Sequence, residues 1–463
     1  MHNYLILLLL LSAFPVLFSC NTQNPNLSES KLQELMDEII AEKEAFVLPD
    51  TTYVPPDGIR YREVRAIDTA NPPAIIDIVG NLNNKKLFKL SDFASSTQYI
   101  FMQSPPDMEI TTIKNIVSDD EHIFVNTIQG LFCYSAEGQY LYAVHINQLV
   151  PSLLSTGFRI VKGVLNNIDL YNGTLIFRTK RWPSLEERLT DVRLNVFDVK
   201  DLTAQMLFNT QSGEFNPEPQ PKYQRQLSLT RDIGAFSNFF LLNAHSLFIS
   251  TSFTNIALYG DTICRFNNYN RPVLRAGAGT MVVMPPSVYR IDGQLMLRKI
   301  HNDTVFRVIP PNRLVPSYIL QWGEYRPDMD LWLAGSDLEG KLVIGSWVET
   351  LRFIFIRYTE GRSYPERRDE GKVKDHWAIY DKAAKTLTHH ITSAQRYVLF
   401  ENDIDPVGMP FYPTGLNHRN EMYRLFSKEQ VKNYIATGNY QNDKLQAIHD
   451  NMPDGSFCLM IVK

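Results

Sequence analysis

The 463-residue chain contains only four cysteines and no CxxC pair. After Cys20, the remaining three are Cys133, Cys264 and Cys458, and each lies within an apolar run. We therefore expect buried thiols rather than a disulfide framework or a cysteine-ligated metal site.

Common catalytic and nucleic-acid signatures are also missing. No GxSxG, HExxH or P-loop motif occurs. The GxG at residues 277–279 is followed by Pro285-Pro286, which excludes the helix that a dinucleotide site needs. Lys and Arg number 46 against 50 Asp and Glu, and no basic stripe is present, which argues against a nucleic-acid partner.

The first 20 residues contain no Lys, Arg, Asp or Glu, and they end in Leu17-Phe18-Ser19-Cys20. A short apolar core closed by a small residue and Cys is typical of a bacterial lipoprotein signal peptide, although the first four residues lack the usual basic side chain. We predict that residues 1–20 are this signal and that Cys20 carries lipid. The alternative, a transmembrane anchor, is disfavoured because the apolar stretch is short and interrupted by Pro15. The expected location is the cell envelope, lipid-anchored, on the periplasmic side of the outer membrane or at the cell surface.

Residues 21–74 are predicted to be a short helix followed by an extended tether. Within 28–46, Ser30 and Gln33 form a capping box and apolar residues recur at helical spacing. Prolines at 49, 55, 56, 72 and 73 predict an extended segment after the helix.

From residue 75 onwards the pattern is one of short strands. Residues 122–146 contain three apolar runs of strand length, separated by Gln129-Gly130 and by the glycine-containing turn 136–139, and residues 113–117 form a fourth run. Consecutive apolar residues such as Ile123 to Val125 indicate that both faces of this sheet are covered. A four-stranded antiparallel meander buried on both faces is typical of one β-propeller blade.

Six such clusters recur between residue 75 and the C-terminus, which predicts an all-β, six-bladed propeller of four-stranded antiparallel blades over 75–463. Six blades give about 65 residues each, against roughly 40–50 in well-known propeller repeats. Eight shorter blades fit the length of the chain as well. Insertions at 181–190, 211–226 and 359–375 account for the extra residues per blade and therefore favour six.

Four segments resemble a known family: HNDTVFRVIPPNRLVPSYILQWG (301–323), WVETLRFIFIRY (347–358), ENDIDPVGMPFYP (401–413) and DNMPDGSFCLMIVK (450–463). They are similar to recurring signatures of the six-bladed, TolB-like propeller lipoproteins of Gram-negative gut anaerobes, whose function is unknown. The resemblance implies the fold and the compartment but no activity. The family commonly carries Asn-Asp-Ile-Asp-Gly-Gly, whereas here Asp405 is followed by Pro406-Val407-Gly408, so this turn departs from the family's pattern.

Glu401, Asp403 and Asp405 place three carboxylates within five residues, the ligand type that suits Ca²⁺. A structural Ca²⁺ is therefore one hypothesis, with an Asx-type turn as the favoured alternative and no other cofactor expected. The adjacent His389 and His390 point to opposite faces of a strand and cannot share a metal ion.

Arg181-Trp182 and His376-Trp377 flank long insertions, and an exposed Trp beside charges can stack on a sugar ring. These four residues are candidate ligand contacts, with packing inside a blade as the plainer use of each Trp.

Two functions remain open. The favoured one is a binding or scaffold propeller that presents a loop-rich face to a glycan, a peptide or a partner protein. The alternative is a glycan-cleaving enzyme, which needs two carboxylates about 5–9.5 Å apart at the central channel.

For ring closure, we predict that the apolar runs 75–79 and 457–462 lie in the same blade or in adjacent blades.

Overall fold

The computed structural model of the chain describes residues 68–463 with gaps. The gaps are residues 104, 106–109, 111–112, 128, 146–167, 181–191, 205–224, 230–236, 242–246, 252–254, 260–263, 268–286, 299–302, 310–312, 327–339, 362–373, 392–398 and 437–442. The predicted lipidation site, the predicted helix and most of the predicted tether therefore lie outside the described residues.

The described strands form six sheets, and three of these are antiparallel meanders of four strands that follow one another along the chain. Their strands are β4 (Ile113–Ser118), β5 (His122–Thr127), β6 (Gly130–Ser135) and β7 (Tyr140–His145); β8 (Ile168–Tyr171), β9 (Thr174–Lys180), β10 (Val192–Asp198) and β11 (Arg225–Leu229); and β12 (Ser237–Leu241), β13 (Leu247–Thr251), β14 (Asn255–Tyr259) and β15 (Cys264–Asn267).

Each of the other three sheets combines consecutive strands with one strand from the N-terminal part of the described chain. These sheets are β16 (Ser287–Ile291), β17 (Gln294–Arg298), β18 (Thr304–Ile309) and β19 (Arg313–Gln321) with β1 (Ala74–Asp77); β20 (Leu342–Glu349), β21 (Phe353–Glu360), β22 (Lys374–Asp381) and β23 (Thr386–His390) with β2 (Lys85–Lys86); and β24 (Gly415–Leu416), β25 (Met422–Ser427) and β26 (Phe457–Val462) with β3 (Thr97–Met102).

The first strands of several sheets lie together at the centre of the molecule. Asn115 of β4 donates to the carbonyl of Ile168 in β8 (3.4 Å), and the backbone N–H of Leu241 in β12 donates to Asp169 of β8 (2.7 Å). Arg290 of β16 reaches the same carboxylate (2.7 Å). The fold is therefore an all-β propeller with four-stranded antiparallel blades, as the strand pattern predicts.

The meander predicted over 113–146 forms the sheet β4 to β7. All six residues of β5 are buried, which confirms that this sheet is covered on both faces. Cys133 and Cys458 are buried free thiols, as expected from their apolar surroundings.

Two helices, α1 (Lys428–Ala436) and α2 (Asp443–Asn451), lie between β25 and β26 and were not predicted. Each is short and buries only one or two apolar side chains, among them Val431 and Leu445, so its periodic signal is weak. Within the described part of the chain, no helix has the length and apolarity of a membrane span.

Residues 74–102, here called the rim strap, run along the edges of three successive sheets. β1 pairs in parallel with β19, β2 pairs in parallel with β23, and β3 pairs antiparallel with β26. Between β2 and β3, the backbone N–H of Phe88 donates to Nδ1 of His390 (3.1 Å). Burial lowers the pKa of His390 to about 4, so its ring stays neutral at pH 7 and Nδ1 remains an acceptor.

The prediction that the runs 75–79 and 457–462 lie in the same blade or in adjacent blades is wrong, but one sheet does combine strands from distant parts of the chain. β3, and not β1, completes the sheet that contains β26, because β26 has β25 on one side and β3 on the other. β1 covers the edge of β19 instead, and the sheet β20 to β23 follows between the two along the chain. One sheet is nevertheless built from distant parts of the chain, as ring closure requires.

Because β26 is the strand that joins β3 to β25, we expect deletion of residues 457–463 to abolish cooperative unfolding and to cause aggregation. The deletion exposes two unpaired strand edges at once. Removal of Lys463 alone is the control, since it loses the backbone bonds to Ser95 and Ser96 but keeps the strand. Thermal melting and size-exclusion chromatography provide the measurements. A monomeric deletion variant with an unchanged melting curve would contradict this account of closure.

Candidate functional site

Of the candidate ligand contacts, Trp377 packs inside a blade, which is the alternative that the sequence favours. Trp377 is only 7% exposed and packs in the core beside Phe355 and Ile379, with the guanidinium of Arg357 5.8 Å from its ring centroid. His376 stacks on the buried ring of Tyr358, with the centroids 5.1 Å apart. Both faces of β22 are buried at this point: Trp377 and Ile379 pack in one core cluster, and Ala378 and Tyr380 pack in another. A sugar cannot reach Trp377. Arg181 and Trp182 lie outside the described residues.

The three carboxylates of the predicted Ca²⁺ site do not form a cation cage. Glu401 lies 3.4 Å from Nζ of Lys89, and Asp403 accepts from the backbone N–H (3.0 Å) and the hydroxyl (2.8 Å) of Ser91. Among the described residues, no group of three His, Cys, Asp or Glu side chains is placed to hold a metal ion.

Asp405 instead anchors the closing strand β3. Its Oδ2 accepts from the hydroxyls of Thr97 (2.5 Å) and Tyr99 (3.1 Å) and from the amide of Asn402 (2.8 Å). Its Oδ1 accepts from the backbone N–H groups of Val407 and Gly408. Burial opposes ionisation, but the hydrogen bonds outweigh it and hold the pKa of Asp405 below the usual range. The favoured alternative, an Asx-type turn, is confirmed.

At the centre of the molecule lies one buried carboxylate, Asp169 of β8. Arg290 of β16 donates to it through Nη2 (2.7 Å) and Nε (3.4 Å), and the N–H of Leu241 donates as well. Arg290 also donates to the carbonyl of Leu241, and its guanidinium lies 4.3 Å from the ring centroid of Tyr171. The Asp169–Arg290 pair therefore joins β8, β12 and β16, which are the first strands of three sheets. The positive charge of Arg290 balances the negative charge of Asp169.

Glu349, at the end of β20, is the other buried carboxylate among the described residues. The hydroxyls of Tyr289 and Tyr318 donate to it at 2.7 Å, and Nζ of Lys382 lies 3.1 Å away. The indole N–H of Trp347 donates to the Tyr289 oxygen (2.8 Å). Burial and the adjacent Glu349 charge raise the pKa of Tyr289 well above its ordinary value, so its hydroxyl remains a donor.

These two carboxylates cannot work as a facing pair. Tyr289, which contacts Glu349, and Arg290, which contacts Asp169, are consecutive residues of β16. Successive side chains of a strand point to opposite faces of the sheet. Asp169 and Glu349 therefore approach the sheet β16 to β19 from opposite sides, whereas glycosidic chemistry needs both on one side of a substrate.

A cleft of about 280 Å³ lies where the sheet β24-β25-β26-β3 meets the sheet β4 to β7; we call it the seam cleft. Its floor is apolar and is formed by side chains of both sheets: Ile100, Ile116, Ile123, Leu459 and Ile461. Leu459 and Ile461 alternate along β26 with Cys458, Met460 and Val462, which pack in the separate core cluster around Phe400. β26 thus contributes side chains of one face to the cleft and side chains of the other face to the core.

The turn between β6 and β7 closes one side of the cleft against β3. Gly138 there has φ +87°, and a Cβ at this position would lie 2.4 Å from the carbonyl oxygen of Phe101. The N–H of Gln103 also donates to the carbonyl of Gly138 (2.9 Å). Glycine is therefore needed here, and it brings Ala136 and Glu137 to the rim of the cleft.

Two further hairpin turns line the rim, and they are joined by an ion-pair cluster. Asp120 accepts from Nε2 of His418 (3.0 Å) and from Nε (3.0 Å) and Nη2 (2.5 Å) of Arg419. Since a carboxylate only accepts, Nε2 of His418 carries a hydrogen, and Nδ1 lies 3.1 Å from the Ser118 hydroxyl. Hydrogen bonds from Arg419 and His418 hold the pKa of Asp120 below its usual range.

The sequence patterns did not single out these rim residues. The turn residues Asp119-Asp120 and Asn417 to Asn420 are polar runs between strands, which indicate a turn but not a shared site. Only the pairing of β3 with β26 brings the two turns together, and that contact spans most of the chain.

The comparisons with known proteins agree with the fold. Residues 56–437 match a family described as "Domain of unknown function (DUF4933)". A Bacteroides fragilis protein whose name describes it as exported is similar in structure, with a TM-score of 0.54 and 11% identity over 86% of this chain and 100% of that chain. A Bacteroides thetaiotaomicron protein of unknown function has a TM-score of 0.35 and 10% identity over 81% and 74% of the two chains. No curated protein matches. At such identities the likeness to the first shows the fold alone.

We expect Asp405→Ala to lower the free energy of unfolding by roughly 3 kcal/mol, because several charge-assisted hydrogen bonds to β3 and its turn are lost. Asp403→Ala is the matched control, since that exposed carboxylate accepts its hydrogen bonds from Ser91, and it should cost less than about 1 kcal/mol. Urea denaturation measures both, and Ca²⁺ should shift neither the wild type nor the control. Equal losses for the two variants would contradict the anchoring role of Asp405.

Proposed function

We propose that this chain, which belongs to the family described as "Domain of unknown function (DUF4933)", is an extracytoplasmic binding or scaffold propeller. It acts without catalysis and is held at the cell envelope by a lipid on Cys20. Its partner is a glycan, a peptide or another protein, and the seam cleft is the place where it holds one small group of that partner.

The observation that carries this proposal is the placement of the two buried carboxylates. Asp169 and Glu349 contact opposite faces of β16, and each is saturated by donors from neighbouring strands. In the part of the chain that the structure describes, these side chains hold the blades together, and neither is placed for acid–base work. The glycan-cleaving alternative therefore has no supporting pair there.

The seam cleft supports binding by its construction. It has an apolar floor and a polar rim, the arrangement of small-molecule sites in general. Its walls come from the two sheets that meet at the closing strand, and the rim residues Asp120, His418 and Arg419 tie them together. A ligand in this place contacts both sheets.

Ring closure through β3 also supports a ring of six blades, one for each of the six sheets. β1 and β2 add a fifth strand to two of them, and β3 supplies the missing fourth strand of a third. The three remaining sheets have four strands each, so all six have a complete antiparallel set.

The lipid anchor rests on the sequence of residues 1–20, and the similar Bacteroides fragilis protein, named as exported, supports the compartment. Cys20→Ser should release the protein from the membrane fraction, because the thiol that would take the lipid is absent. Cys133→Ser is the control, since that thiol is buried in a blade and should have no effect on fractionation. A Cys20→Ser protein that stays in membranes after alkaline washing would overturn the anchor.

The binding role is tested by a ligand panel of amines, organic acids, sugars and short peptides, added to the full chain in detergent. We expect one class to raise the melting temperature of the wild type and of Ala384→Phe, a change in an exposed turn away from the cleft. The same class should have no effect on Ala136→Phe, which fills the rim. A shift retained in Ala136→Phe, turnover of a panel compound, or no shift at all would each contradict the proposal.

A further inference from the structure

The rim of the seam cleft has more negative than positive charge. Four carboxylates line it, from Asp119, Asp120, Glu137 and Glu421, against the two permanent cations Arg419 and Lys463. Both cations are already engaged. Arg419 pairs with Asp120 at 2.5 Å, and Lys463 lies 3.6 Å from Glu421.

Asp119 and Glu137 have no Lys or Arg nitrogen within 4 Å among the described residues. Asp119 accepts from the backbone N–H groups of Glu121 (2.9 Å) and His122 (2.7 Å), and its Oδ1 lies 3.2 Å from Nδ1 of His122. Glu137 accepts from the hydroxyl of Ser135 (2.9 Å). Burial opposes ionisation of Asp119, but the bonds from His122 and Glu121 prevail and hold its pKa below the usual range.

The size and the floor of the cleft restrict what fits. Its volume of about 280 Å³ lies just below the range of roughly 300–1,000 Å³ typical of sites for drug-sized ligands. One side chain or a molecule of similar size fills it, whereas an oligosaccharide does not. The isoleucine and leucine floor favours an apolar body, because burying apolar surface is the main source of affinity there.

We propose that the seam cleft binds a small organic cation whose ammonium group lies at Asp119 and Glu137 and whose apolar body packs on the floor. This inference rests on the proposed binding function and names its ligand class. A free amine and the N-terminal residue of a peptide share this chemistry. An anion finds no free cation at the rim, since Arg419 and Lys463 are paired.

The test uses the full chain in detergent and three probes with one apolar body: 2-phenylethylamine, 2-phenylethanol and 3-phenylpropionate. By isothermal titration at low salt, the amine should bind at least tenfold more tightly than the alcohol, and the carboxylate should not bind. The affinity for the amine should fall as salt is added, since screening weakens exposed charge pairs. The peptides Ile-Gly-Gly and N-acetyl-Ile-Gly-Gly distinguish the two sources, because only the free N-terminus has the cation.

Glu137→Gln should weaken amine binding about tenfold, while the exposed Glu429→Gln, on α1, should leave it unchanged. Both variants should keep the wild-type melting temperature, which separates a lost charge from a lost fold. Equal binding of the alcohol, preference for the carboxylate, or an unchanged affinity in Glu137→Gln would overturn the cation while leaving the cleft as a binding site. Amine binding that persists in Ala136→Phe would instead overturn the cleft itself.

Discussion

The antiparallel ladder between β3 and β26 is the contact from which the rest of the architecture follows. An open propeller leaves unpaired strand edges at both ends, and such edges invite aggregation. Here the six residues of β26 pair with β25 on one side and with β3 on the other. The same strand supplies the core with one set of alternate side chains and the seam cleft with the other. The closure of the ring and the seam cleft are thus two results of one strand pairing.

The segment 401–413 shows why closure is specific. Its Asp405 contacts Thr97 and Tyr99, which lie at alternate positions of β3, and the N–H of Leu90 donates to the carbonyl of Glu401 at 2.8 Å. The oxygen-bearing side chains of residues 401–405, which resemble a cation-binding loop in sequence, instead fix the position of the rim strap (residues 74–102). Register matters because a slip by one residue would turn Ile100 and Met102 away from their cluster.

Local features of the fold could be predicted from the sequence, and long-range ones could not. The strands β4 to β7 follow from short apolar runs and turn glycines, which act within a few residues. The partner of β3 could not be found in this way, because the composition of Thr97–Met102 does not indicate which strand it pairs with. The residues of the candidate site could not be predicted from the sequence for the same reason. Trp377 carries no local mark of burial, and Asp120 meets His418 only after the first and last sheets have come together.

The pairing also has a consequence for how the protein is made. Met102 lies opposite Phe457 in the ladder, and the two are 355 residues apart in the chain. At a synthesis rate of roughly 5–20 residues per second, β3 leaves the ribosome on the order of tens of seconds before its partner exists. During that interval the edge of β3 that pairs with β26 has no partner. The cell must therefore keep this strand from other edges until translation reaches β26, and a protein of this design depends on protection during synthesis more than a chain whose neighbouring strands pair in order.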